Sequence, residues 1–123
     1  MKAGFLAALV LLAVAASGCG KPATVHVTVD VVAAGFSGGN VSVEVWDPGN
    51  LPKVSLHFTM EAGQNMTVAN FDGPAGEYTA RASAGINSRV QEGIRLGAGT
   101  PRLTVLASDG GVRFSLDGGK TPL

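Results

Sequence analysis

The side chains of this 123-residue chain whose chemistry depends most on placement are two histidines, one cysteine and one tryptophan. His26 lies in "ATVHVTVDVV" and His57 in "KVSLHFTME", each on the polar phase of an alternating run. If those runs were neighbours, the two imidazoles could bind a metal or move a proton. No Cys, His-x-His pair or adjacent carboxylate at ligand spacing accompanies them. Asp30 shares the face of His26 but stands about 13 Å further along an extended strand. Two unrelated surface histidines are therefore expected. No serine lies in a G-x-S-x-G context, the setting of a nucleophile elbow. Asp47-Pro48-Gly49-Asn50, Asp72 and Asp109-Gly110 bring oxygen ligands into loops, but none spaces three of them like a calcium loop. Asp, Asn and Gly are also what tight turns require. The chain is expected to hold no metal or other cofactor and not to be an enzyme.

The cysteine has a different setting. Met1-Lys2 gives a positive start, Phe5 to Ala16 an apolar run, and Ser17-Gly18 a small-residue end, the parts of a secretory signal. A bilayer-spanning helix needs about 20 apolar residues, more than this run supplies. Ala16-Ser17-Gly18-Cys19 resembles the lipobox of bacterial lipoproteins, departing from it at Ala16, where Leu is commonest. The resemblance implies that the leader 1–18 is removed, that Cys19 becomes the first residue, and that acyl chains on it enter a lipid bilayer. Each buried CH₂ contributes about 0.8 kcal/mol, and two or more chains hold firmly where one does not. Gly20, rather than Asp, after the cysteine resembles lipoproteins passed on to an outer membrane. An ordinary signal cut near Ala16 or Gly18, with a spare thiol, is the alternative. With one cysteine no internal disulfide can form, so a core must hold the body together.

Trp46 follows Val41, Val43 and Val45 in "NVSVEVWD" and falls on the opposite, polar phase beside Glu44, just before Asp47. An exposed indole ringed by such groups could stack on a sugar or anchor a protein. A bulge that flipped the phase would bury it instead. Trp46, Glu44 and Asp47 are thus the candidate ligand-binding residues.

These side chains need elements to position them. Eighteen glycines, six prolines and runs rich in Val and Thr indicate short strands punctuated by turns. Nine basic residues balance nine acidic ones, and no basic run interleaved with aromatics supports nucleic-acid binding. Alternation puts Val25, Val27, Val29 and Val31 on one face of the first run, and Val54, Leu56, Phe58 and Met60 on one face of the third. Further strands are expected over 66–71, 77–84, 89–96, 102–107 and 112–116, about eight in all. "SDGG" at Ser108 to Gly111 signals a hairpin. The short connections favour antiparallel pairing, since parallel neighbours need long crossovers. The expected fold is all-β: a two-sheet antiparallel sandwich over 24–117, after a tether over 19–23 and before a loose tail over 118–123.

"GPAGEYTARASAG" and "SRVQEGIRLGAG" resemble the second half of the carboxypeptidase regulatory-like domains, which share a transthyretin-like sandwich. The likeness covers about a quarter of the chain, and immunoglobulin-like sandwiches use similar short patterns. In this phase Tyr78 faces inward with Ala80, Ala82 and Ala84, its hydroxyl reaching backbone. The transthyretin-like fold has an enzymatic relative, hydroxyisourate hydrolase, marked by a C-terminal Tyr-Arg-Gly-Ser, whereas this chain ends "GGKTPL". The expected role is a membrane-anchored, non-enzymatic interaction or structural module with an envelope protein or glycan as partner. The alternatives are a carbohydrate-binding module built on Trp46 and, third, a metal-dependent or hydrolytic enzyme that needs His26 and His57 together.

Overall fold

Alternation of β-branched and polar residues produces strands throughout the described chain. The computed structural model describes residues 23–97, 99–117 and 121–123; the leader, Cys19 and the tether up to residue 22 lie outside them. Nine strands follow in order: β1 (Thr24–Ala33), β2 (Gly38–Trp46), β3 (Pro52–Glu61), β4 (Asn65–Pro74), β5 (Gly76–Ala84), β6 (Asn87–Leu96), β7 (Arg102–Ser108), β8 (Gly111–Leu116) and the short β9 (Thr121–Pro122). They form two sheets, one ordered β4-β1-β7-β8-β9 and the other β3-β2-β5-β6. The fold is an all-β sandwich.

The core is the inner face of both sheets. Val25, Val27, Val29 and Val31 of β1 face Val41, Val43 and Val45 of β2 and Ala80, Ala82 and Ala84 of β5 across one buried cluster. Small alanines on β5 leave room for Tyr78, Phe114, Ile94 and Leu103, all fully buried. Leu56 and Phe58 are only partly buried, because β3 is the edge of its sheet.

Among the described residues, six of the seven strand pairings are antiparallel; β1 and β7 are parallel, with Thr28 opposite Arg102 and Ala33 opposite Ala107. Short connections exclude a parallel partner only between strands adjacent in sequence, and β7 returns to β1 after the whole second sheet has been laid down. A second difference lies at the C-terminal end, read as a loose tail. There β9 pairs with β8, and the Leu123 amide donates to the Phe114 carbonyl at 3.1 Å. A third concerns Asp72, read as part of a turn: β4 runs on to Pro74, so Asp72 stands within a strand.

Successive strands run up and down, so the loops gather at two ends. Ala23, whose carbonyl accepts from the Ala75 amide at 2.8 Å, marks the near end, with the β2–β3 loop and the approach to β7. The far end holds the β1–β2, β3–β4, β5–β6 and β7–β8 connections. Ser37 and Asp109 join there, the Ser37 amide donating to Asp109 Oδ1 at 2.9 Å and its hydroxyl to the other carboxylate oxygen.

Candidate functional site

His26 lies on the outer face of β1 in the five-stranded sheet, and His57 on the outer face of β3 in the other. The sandwich separates them, so the bi-histidine site is not assembled. Strand pairing brings His26 a carboxylate that linear spacing concealed: Asp72 of β4 stands directly opposite and pairs with the imidazole Nδ1. Both side chains are well exposed. Asp30 is occupied elsewhere, accepting from Arg102 Nη1 at 2.5 Å and from Thr67 Oγ1 at 2.7 Å. Among the described residues no group of three His, Cys, Asp or Glu side chains is arranged to hold a metal ion.

The Trp46 neighbourhood is built by β2, β3 and β5. A bulge does occur beside it, but on the partner strand: Val45 pairs with Val54 and Trp46 with Pro52, so the extra residue is Lys53 of β3. The phase of β2 continues unbroken, and Trp46 keeps the outer face, half-buried. Glu44 also stays on that face, with its Oε1 2.5 Å from Arg81 Nη2 of β5; the alignment makes this an ion pair by distance rather than a hydrogen bond.

Asp47 departs from the expected arrangement. It is buried, and its Oδ1 accepts from the amides of Gly49 at 2.8 Å and Leu51 at 2.9 Å. Its own amide donates to the Leu51 carbonyl. The inward phase of β2 carries it beneath the loop it closes, so it is a turn-forming residue and offers no carboxylate beside the indole. These bonds are what the loop reading of Asp47 requires.

Tyr78 is placed as expected, inward with Ala80, Ala82 and Ala84. Its hydroxyl donates to the Pro74 carbonyl at 2.8 Å, and its ring centroid lies 5.9 Å from that of Phe71. Gly73 makes this contact sterically feasible, because a Cβ there would stand 2.3 Å from the hydroxyl. Burial pushes the Tyr78 pKa above its ordinary value, and the negative charge of Asp47 adds to the effect.

A spacious cleft lies away from these residues, at the far end, where the β5–β6 and β7–β8 hairpins meet. Its volume is about 640 Å³, and Arg89, Arg113, Ser88 and Ser108 are among its lining residues. Asn87 Nδ2 ties the hairpins together by donating to the Asp109 carbonyl at 3.0 Å. Linear spacing carried no signal for this cleft, because its two arginines come from strands of different sheets. No protein-family model matches the chain, and no curated protein matches it.

Proposed function

We propose that the protein is a lipid-anchored, non-enzymatic β-sandwich of a bacterial cell envelope, an interaction or structural module held to a bilayer through acylated Cys19. One spatial observation supports this reading: the first strand of the described body begins at Thr24, close behind Cys19 in the sequence, and that end is opposite the far-end cleft. A bilayer attached at Cys19 would leave the far loops turned outward toward a partner protein or glycan. Each strand advances about 3.3 Å per residue, so the ten-residue β1 alone lifts those loops about 33 Å from the anchored end. Gly20 supports delivery to an outer membrane where the host has one.

Within the sandwich class we infer a transthyretin-like topology. A constant-type immunoglobulin sandwich places its first two strands side by side in one sheet. Here β1 pairs with β4 and β7, while β2 belongs to the opposite sheet. The sugar-binding reading built on Trp46 draws less support, because Arg81 engages Glu44 and the turn occupies Asp47.

The deciding experiment for the anchor is Cys19→Ser in a bacterial host fed an alkyne-tagged fatty acid. The wild-type protein is expected to take up label and shorten, and the variant to remain an unlabelled precursor. Normal cleavage and release of the variant would overturn the lipoprotein reading.

A further inference from the structure

The chain has five arginines, and their partners divide them sharply. Arg81 lies 2.5 Å from Glu44, Arg95 2.6 Å from Glu77 and Arg102 2.5 Å from Asp30. Arg89 and Arg113 have no carboxylate partner among the described residues, and these are the two that line the far-end cleft. Every aspartate and glutamate of the sequence falls within the described residues, and none of them lines that cleft.

The topology accounts for the convergence. Arg89 stands opposite Ala82, a core residue, so it occupies the inner phase of β6. Because β6 is the edge of its sheet, this inward-phase side chain reaches the rim, where β8 of the other sheet passes alongside. Arg113 stands on the outer phase of β8, opposite Leu106. Arg89 Nη2 donates to Gln91 Oε1 at 3.2 Å, a neutral partner that leaves its charge uncompensated. Asp109, which sits in the β7–β8 turn between the lining residues Ser108 and Gly110, is turned to Ser37 on the β1–β2 loop.

We propose that this cleft is an anion-binding site for an extended ligand carrying carboxylate or phosphate groups. A guanidinium offers a planar fork of donors that matches either group in two-point fashion. Two such forks on different strands suit a ligand with repeated charges better than a single small ion. The volume lies within the range of ordinary ligand sites, about 300–1,000 Å³. Ser88 adds a polar residue to the wall, and the half-exposed Val90 an apolar one against which the uncharged part of a ligand can lie. The site deepens the interaction-module reading by naming what the far end binds. It uses only side chains of the folded body, so it stands or falls independently of the lipid at Cys19.

The test is calorimetric titration of the full chain in mild detergent with trigalacturonate, and separately with inorganic tripolyphosphate, at about 0.15 M ionic strength. Arg89→Gln, Arg113→Gln and the control Arg95→Gln are compared with the wild type, and circular dichroism verifies that each is folded. One probe at least is expected to bind one-to-one, with affinity falling roughly tenfold or more in Arg89→Gln and Arg113→Gln and little in Arg95→Gln. The preferred probe then distinguishes a carboxylated glycan from a phosphorylated ligand. No binding of either probe overturns the proposal. So does an equal loss in all three variants, which reports net charge rather than a site.

Discussion

Tyr78 is the chain's one tyrosine, so its ionisation can be followed by absorbance without assignment. Its raised pKa has a thermodynamic counterpart. With the folded value above the ordinary 10.0, its contribution to stability is fully present below about pH 10 and is lost as pH rises through the folded value. The melting temperature should therefore fall above pH 10 more steeply in the wild type than in Tyr78→Phe; parallel curves would contradict this. At neutral pH the same variant should lose about 1 kcal/mol through the missing bond to the Pro74 carbonyl, measured by urea denaturation. Asp47→Asn removes the charge and keeps an oxygen for the loop amides, so the tyrosine titration should move toward its ordinary value. At this scale the sequence was readable for Tyr78, whose inward phase follows from simple alternation. It was not for Asp47, because whether a carboxylate at a strand end faces solvent or folds under the next loop depends on the closure of that loop. Nor was it for His26, whose partner Asp72 becomes adjacent only when β1 and β4 pair.

β1 is the central problem of the five-stranded sheet. Its four valines identify which face is buried, since a one-residue slip would expose them all. That same pattern is silent about neighbours, because β-strands of equal alternation can pair with any partner that offers a matching face. The hairpin β7–β8 was legible from the turn at Ser108 to Gly111, whereas β1 takes both its neighbours from far along the chain. Its interior position, flanked by β4 and β7, predicts a strong response to truncation. Val29→Ala removes two methyl groups from a fully buried site between β4 and β7 and should destabilise by about 2 kcal/mol in urea denaturation. Val90→Ala, on the exposed face of the edge strand β6, should change stability by less than about 0.5 kcal/mol. Similar losses at the two positions would argue against the sheet order.

At the scale of the whole molecule, the fold class was open to sequence reading because hydrophobic period and turn chemistry agree along the body. The far-end cleft was not, since Arg89 and Arg113 are remote in sequence and only the meeting of β6 and β8 unites them. The parallel pairing of β1 with β7 also governs when the structure can exist. Until Arg102–Ser108 is available, β1 has a partner on one side only, and the four valines it should bury lack half their sheet. Non-local closure of this kind makes folding slow relative to helical domains of similar size. A chain ended at Gly97 should therefore give a circular-dichroism spectrum without ordered strands and no cooperative melting transition; a folded fragment would refute this. The order of synthesis thus acts as a timer: the first strand of the described body must wait for nearly the last before both of its edges are covered.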